Sequence, residues 1–406
     1  MRLRIKEICD YVSRGTTPDY VDEGANKVMN QATFSKGWLD ESNIRYTSKA
    51  NKGARIMKGD LLMASTGGGV LGKVFFFDDD DSFYADSHVT IMRNSKGANL
   101  MKYLYYYFYL RYDEINATMV KGSTNQTELQ RNYLLSYELD VPTLADQQRM
   151  VTYLDTKLSE IDHQVSLLTS KRDAYLRLKK SIINHAVTHG LDPNVKMKDS
   201  GIEWIGEVPE HWEVKRMKDI CDYISRGSTP DYVDEDYQKV MNQGTFSKGW
   251  IDESNIRYTK VGKSGAHIKK GDLLMASTGG GVLGKILYFD SIDENYYADS
   301  HVTIMRNSKG INSMKFLFYH FSLRFDEINA TMTKGSTNQT ELQRYELLSH
   351  NVAIPPLPEQ RAIATYLDDK CAKIDTIVSN LGKQISRYAD LKRSLIDEVI
   401  TGKRAV

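Results

Sequence analysis

The sequence is short of the residues that usually announce a chemistry. Three cysteines (Cys9, Cys221, Cys371) make neither a disulfide framework nor metal-ligand spacing. They are expected to be small apolar residues, Cys9 and Cys221 in two equivalent cores, and the expected location is a reducing cytoplasm. Neither sign of charge dominates: Lys plus Arg number 54 against 53 Asp plus Glu, a formal net charge of +1. The strongly basic balance that usually marks a nucleic-acid binder is therefore absent. If the protein holds DNA, its positive charge is local or partners supply much of the phosphate contact. No stretch approaches the run of about 20 apolar residues that a membrane helix needs. The opening MRLRIKEICDYVSRG has no apolar signal core and no cleavage site. There is no Asn/Asp-Pro-Pro-Tyr/Phe stretch, so the chain is not expected to transfer methyl groups itself. No Ser, His and Asp form a nucleophile–base arrangement, and no cofactor fingerprint is present.

What the chain does contain is a copy of itself. GDLLMASTGGGVLGK runs from Gly59 to Lys73 and returns letter for letter from Gly271 to Lys285. ADSHVTIMRNSKG (Ala85 to Gly97) returns from Ala298 to Gly310, and KGSTNQTELQR (Lys121 to Arg131) from Lys334 to Arg344. The offset is 212 at the start (Gly15 to Gly227) and 213 by the later blocks (Gly122 to Gly335), so one residue is inserted near Asp290 to Asn295. Each copy is domain-sized, too long for a solenoid unit. The chain is a tandem duplication, in effect a covalent dimer.

Each copy opens with a short amphipathic segment and a Gly/Thr/Pro turn, Arg14 to Pro18 and Arg226 to Pro230. VMNQATFSKGW (Val28 to Trp38) suggests a strand leading to a Gly turn. Leu61 to Ala64, Lys73 to Phe77 and Ser87 to Arg93 suggest strands, the last rich in β-branched residues. Leu104, Phe108, Ile115 and Met119 recur at helical steps, so Met101 to Met119 suggests one core-packed helix. Its tyrosines are read as packing rather than base stacking. Tyr137 to Pro142 closes the domain as a strand.

From Ala145 to Val187 there is neither Pro nor Gly. Leu154, Leu158, Ile161, Val165 and Leu168 step as a heptad, resuming at Tyr175, Leu178 and Ile182. The repeat mate runs Leu367, Cys371, Ile374, Val378, Leu381, Ile385, Tyr388, Leu391, Leu395. Roughly 40 residues make a rod of about 60 Å, and one apolar stripe on such a rod needs a partner. The two stripes are predicted to pair as an antiparallel coiled coil. The expected fold class is α+β: two repeated mixed α/β globular domains (1–144 and 213–357) separated by two long helices (145–190 and 358–406), with a connector at 191–212. Trp204, Pro209 and Trp212 suggest that the connector is pinned to the second domain.

Gly67 to Lys73 fits the first seven positions of a P-loop, but Val74 stands where Ser or Thr should hold Mg²⁺, and Ile286 in the second copy. A P-loop also opens a helix, whereas KVFFF continues as a strand. The better reading is a Gly-rich turn between strands that brings backbone N–H groups and the hydroxyls of Ser65 and Thr66 to an anion or a base edge. The loop Lys121 to Gln126 is the other dense polar stretch. Asn and Gln suit adenine, Lys suits guanine or phosphate; the plainer reading is a helix C-cap at Gly122 with Ser123 or Thr124 capping the next helix. His88 and His301 fall in apparent strands with no second ligand near, so they are read as core or edge residues and not as metal ligands.

The junction phrases carry a specific resemblance. DSGIEWIGEVPEHWEVKRMKDI (Asp199 to Ile220), IPPLPEQRAIATYLDDKCAKID (Ile354 to Asp375) and the looser VPTLADQQRMVTYLDTKLSEID (Val141 to Asp162), with the order domain–helix–domain–helix, resemble the specificity subunit of type I restriction–modification systems. The likeness spans essentially the whole chain. The Trp/Pro/Trp entry phrase has no counterpart before the first domain, which leaves that domain either preceded by further chain or pinned by the C-terminal tail.

The resemblance implies a non-catalytic subunit that binds double-stranded DNA in the cytoplasm, with two target recognition domains each reading half of a bipartite site. The coiled coil would set the spacing and dock two DNA adenine methyltransferase subunits, with restriction subunits joining them. No cofactor is expected in this chain; S-adenosylmethionine, ATP and Mg²⁺ belong to the partner subunits. Near-identical domains should read near-identical half-sites, so the site is expected to be an interrupted palindrome or nearly so. The matching loops nominate Arg14, Thr16, Thr17, Ser65, Thr66, Gly67, Gly68, Lys73, Lys121, Ser123, Thr124, Asn125 and Gln126 for DNA contact. Their mates are Arg226, Ser228, Thr229, Ser277, Thr278, Gly279, Gly280, Lys285, Lys334, Ser336, Thr337, Asn338 and Gln339. Lys and Gly are assigned mainly to the phosphate backbone, Asn, Gln and Thr mainly to bases. The competing reading is a bivalent scaffold that grips protein or glycan; a gel shift with the methyltransferase subunit separates the two. A nucleotide-hydrolysing enzyme is the third, tested by ATP turnover.

Overall fold

A computed structural model describes residues 1–406 except 25, 50, 96, 123–126, 204, 235–237, 261–265, 294 and 336–339, and not the side chains of 98 and 99. The chain divides into two compact units, Met1–Thr169 with Lys383–Val406, and Ser170–Gly382. Both units mix helices and sheets, as an α+β chain should.

The first unit is layered around Leu61–Ala64. This strand is one of the two inner members of a four-stranded antiparallel sheet, in the order Tyr11–Arg14, Val89–Arg93, Leu61–Ala64, Val74–Phe76. Alternate side chains of a strand face opposite ways. Leu61 and Met63 therefore join one core, with Met92, Met101, Leu104, Phe108 and the long-helix residues Leu154 and Leu158. Leu62 and Ala64 join another, with Met29, Phe34, Phe77, Phe83 and Val89. Both faces are covered, which is why the strand reads as an unbroken apolar run. The second core is closed by a five-stranded sheet, ordered Tyr20–Val21, Arg45–Thr47, Asn26–Met29, Phe83–Ala85, Arg55–Ile56. Only Asn26–Met29 and Phe83–Ala85 run parallel in it. Arg2–Arg4 pairs with Glu138–Asp140 and brings both domain ends together.

The second unit repeats this. Tyr223–Arg226, Val302–Arg306, Leu273–Ala276 and Ile286–Tyr288 form the inner sheet. Leu273 and Met275 face one core, Leu274 and Ala276 the other. Glu213–Arg216 pairs with Asn351–Ile354 in place of the first unit's terminal strands.

The predicted helix over Met101 to Met119 is two helices, Ala98–Tyr109 and Tyr112–Thr118. The backbone turns at Arg111, whose N–H donates to the Phe108 carbonyl, so that Ile115 and Met119 re-enter the core that Leu104 and Phe108 already fill. The second unit breaks in the same place, between Met314–Ser322 and Phe325–Thr331. Tyr103 and Tyr106 pack as expected, both buried, and Tyr106 donates to Asp155 of the long helix at 2.5 Å, whereas Tyr109 is exposed.

The long helices run Leu144–His189 and Leu357–Ile400. Within each unit they pair antiparallel. In the first, Lys392 Nζ meets Asp162 at 2.7 Å and Arg149 Nε donates to the Val406 carbonyl at 3.1 Å. In the second, Lys179 Nζ meets Asp375 at 2.6 Å. Two predicted seam residues are corrected: Leu178 and Leu391 are 47% and 49% exposed. A straight helix drifts from a strict seven-residue repeat, so the contact stripe passes to Lys179 and Lys392, repeat mates that each reach a carboxylate on the opposite helix.

Trp212 is fully buried and donates from Nε1 to Glu359 at 3.1 Å, so the connector is held to the second domain as expected; Trp204 lies outside the described residues. In the first unit Leu395, Ile396, Val399 and Ile400 pack into the domain core, and the Met1 amine donates to the Val141 carbonyl at 2.9 Å. All three cysteines are buried and free, and burial pushes the thiols of Cys9 and Cys221 up to about 12.

Candidate nucleic-acid interface

The inner sheet of the first unit ends in a polar edge. Tyr11–Arg14 and Leu61–Ala64 finish where Val89–Arg93 begins, since both run antiparallel to it. Arg14, Thr66 and His88 therefore come together, although far apart in sequence. The hairpin Val120–Lys121 with Glu128–Leu129 closes on the same edge. Thr66 forms a bridge with Glu128, the Gly67 N–H donates to the Thr127 carbonyl at 3.3 Å, and Arg14 lies 3.6 Å from the Glu128 carboxylate. Two of the predicted loops thus meet at one sheet end, together with the short strands that flank the third. The second unit builds the same end: Thr278 bridges Glu341, the Gly279 N–H donates to Thr340 at 3.2 Å, and Arg226 lies 3.6 Å from Glu341.

Gly15 is required by crowding here. A Cβ on Gly15 would sit 2.1 Å from the Ala85 carbonyl oxygen, and one on Gly227 2.1 Å from that of Ala298. The loop after it holds Thr16, half-buried, whose N–H donates to Ala85 O at 3.2 Å, and Thr17, exposed. Ser228 and Thr229 stand likewise.

Several nominated residues do not face outward. Ser65 and Ser277 are corrected: both are fully buried. Their hydroxyls bond Thr90 and Thr303 at 2.6 Å and the carbonyls of Met63 and Met275, so they tie the sheet together instead of meeting DNA. Lys73 and Lys285 are half-buried, and each ammonium donates to a carbonyl, Ser35 at 2.8 Å and Ser247 at 2.9 Å. Gly67 and Gly279 adopt φ of +86° and +88°, open only to glycine without strain; Gly68 and Gly280 are exposed. The Gly-rich stretch links antiparallel strands and opens no helix, unlike a P-loop.

Lys121 and Lys334 are exposed at the start of their hairpins. Ser123, Thr124, Asn125, Gln126 and their mates Ser336, Thr337, Asn338 and Gln339 lie outside the described residues. Gly122 is no helix C-cap: the helix ends at Thr118, and Gly122 follows the hairpin's first strand.

The sequence reading missed two members of the edge. His88 and His301 are not within strands but in exposed turns just before them. The His88 N–H donates to the Asp86 carboxylate at 2.8 Å, the capping contact that starts the turn. Burial pushes the Asp86 carboxyl up, opposed by that N–H. Gln31 and Gln243 were also missed. Each begins a four-residue helix whose N-cap, Asn30 or Asn242, accepts from the backbone two and three residues on. Asn followed by Thr three positions later is the signal that marks it. Thr66 Oγ1 bonds Gln31 Oε1 at 3.2 Å and His88 Nδ1 at 2.7 Å; Thr278 bonds Gln243 at 2.9 Å and His301 at 2.7 Å. Among the described residues no group of three His, Cys, Asp or Glu is placed to hold a metal.

The model of the type I restriction modification DNA specificity domain matches the chain twice, at residues 1–167 and 209–387. The chain is 26% identical over 206 residues to the putative type I restriction enzyme MjaX specificity subunit of Methanocaldococcus jannaschii, covering 48% of this chain and 47% of that protein, so it spans about half that relative's length. It is 22% identical over 323 residues to the MjaVIII specificity subunit of the same organism, covering 77% and 73%. It is 24% identical over 367 residues to the putative specificity subunit S.HindORF215P of Haemophilus influenzae, covering 89% and 88%. A chain solved in work on complex assembly and conformational transition of the type I R-M system superposes with a TM-score of 0.74 at 14% identity, covering 98% of this chain and 97% of that one. At that identity the likeness is one of fold.

Proposed function

The chain belongs to the type I restriction–modification DNA specificity family, and from that premise we propose that its two domains each read one half of a bipartite double-stranded DNA site. The helix pair sets the unread gap and docks two adenine methyltransferase subunits, and restriction subunits join that assembly. The chain itself carries out no chemistry: S-adenosylmethionine, ATP and Mg²⁺ act in the partner subunits.

The observation that supports this most is the meeting of Arg14, Thr66, Gly67, Thr127 and Glu128 at one sheet end, repeated by Arg226, Thr278, Gly279, Thr340 and Glu341 in the other domain. Near-identical reading surfaces select near-identical half-sites, and with antiparallel helices the target is an interrupted palindrome or nearly so. Methylome sequencing of cells carrying the system tests this; two unrelated half-sites would overturn it. Asn125 and Asn338 remain proposed base contacts, and Lys121 and Lys334 phosphate contacts. Replacing both Asn by Ala should relax specificity at one position per half-site, by roughly 1–3 kcal/mol.

A net charge of +1 leaves the isolated subunit a weak DNA binder. Binding should tighten, and its salt dependence steepen, when the methyltransferase subunits add basic surface. Equal salt slopes with and without them would count against this arrangement.

A further inference from the structure

We infer that Gln31, Thr66 and His88 form a hydrogen-bond relay that reads one adenine in the major groove, and that Gln243, Thr278 and His301 do the same in the other half-site. The inference rests on the reading of the chain as a DNA specificity subunit and adds to it the residues and the base.

The argument begins with the threonine. Its hydroxyl has one proton and stands between two partners, Gln31 Oε1 at 3.2 Å and His88 Nδ1 at 2.7 Å. Given to the amide oxygen, the proton leaves the hydroxyl oxygen to accept from Nδ1–H. The neutral imidazole then carries its lone pair on Nε2, and among the described residues no side chain takes that nitrogen. The amide NH₂ remains as a donor. The relay therefore ends in one acceptor, on an exposed ring, and one donor. Reversing the amide reverses every bond in the relay and still leaves one of each.

One acceptor and one donor are the complement of adenine, which shows N6–H and N7 in the major groove, and not of guanine, which shows two acceptors. A free glutamine meets adenine with its own oxygen and nitrogen. Here the oxygen is engaged by Thr66, and the imidazole supplies the missing acceptor. The second domain repeats the relay at 2.9 and 2.7 Å.

The test uses the full chain assembled with its methyltransferase subunits, offered a DNA library randomised across both half-sites. His88→Ala with His301→Ala should abolish preference at one A·T pair in each half-site, a loss of discrimination on the order of ten- to a hundredfold, while affinity for non-specific duplex holds. His88→Ala alone should relax one half-site and spare the other. Thr66→Val with Thr278→Val should mimic the double histidine variant, and Thr66→Ser with Thr278→Ser, which keeps the hydroxyls, should retain the preference. Unchanged selection by the histidine variants, relaxation at a G·C pair, or a uniform loss across all positions overturns the relay alone. A wild-type complex that selects no sequence overturns the reading of the chain as a specificity subunit, and the relay with it.

Discussion

The two domains agree and differ in instructive places. At the sheet end, Gln31, Thr66 and His88 keep the partners that Gln243, Thr278 and His301 keep. At the opposite, helical side they part. The first domain sets Tyr107 against Tyr137 with hydroxyls 3.2 Å apart, and Tyr137 donates to Glu114 at 2.8 Å. The second has His320 against His350, ring nitrogens 3.4 Å apart, packed with Arg324. On the helical side one hydrogen-bonded aromatic pair has replaced another. In the Gln–Thr–His relay no replacement has occurred. The swap still changes the chemistry, because the tyrosines stay neutral in acid and the histidines do not. Burial, with the Arg324 charge beside it, pushes His350 down to about 3 and His320 well below its ordinary range.

The largest effect should come where the copies agree. Gly15→Ala and Gly227→Ala each place a methyl 2.1 Å from a backbone oxygen, and should cost more than the roughly 1–3 kcal/mol usual for overpacking. Limited proteolysis should then cut the altered domain and spare the other; equal resistance in both would mean the strand end can give way. Trp212→Ala removes a ring fully buried in the second domain, without a counterpart among the described residues of the first, and should cost that domain about 3–5 kcal/mol. A melt that splits into two transitions is the expected sign.

Acid should separate the domains next. Both histidines bind protons more readily unfolded than folded, so stability is complete above about pH 6.5. It falls with pH from there towards about 3, where His350 titrates in the folded state. At pH 5 the loss from His350 alone is roughly 2 kcal/mol. His320→Tyr with His350→Tyr should remove the acid sensitivity of the second domain and leave the first unchanged; hydrogen exchange against pH reads both. The smallest effect should be at the helix pair. Lys392 meets Asp162 and Lys179 meets Asp375 in partly exposed bridges, so either Lys→Ala change should cost under about 1 kcal/mol. A double-mutant cycle with the paired aspartate measures it.

Strands buried on both faces were plain in the sequence, because Leu61–Ala64 and Val89–Arg93 are continuous apolar or β-branched runs. The long helices were plain too, from 40-odd residues of one repeating stripe. Their exact seam was not: heptad counting carried the stripe to Leu178 and Leu391, and helical drift moved it to the lysines beside them. The break at Arg111 left no trace, since Ile115 and Met119 keep helical spacing across it. At the site, the loops could be nominated from polar, glycine-rich repeats, but Ser65 could not be told from Thr66 without knowing which faces the core. His88 was hidden by the strand formers that follow it. Gln31 sat at the start of a helix one turn long, below the length at which periodicity shows.

The buried thiols have a practical consequence. With Cys9 and Cys221 raised to about 12, almost no thiolate exists at neutral pH while the chain is folded. An alkylating reagent will find Cys9 only when the N-terminal lobe opens, and Cys221 only when its twin does. The duplication has thus left a natural stopwatch in each half, and mass spectrometry of the labelled peptides will tell which lobe breathes first.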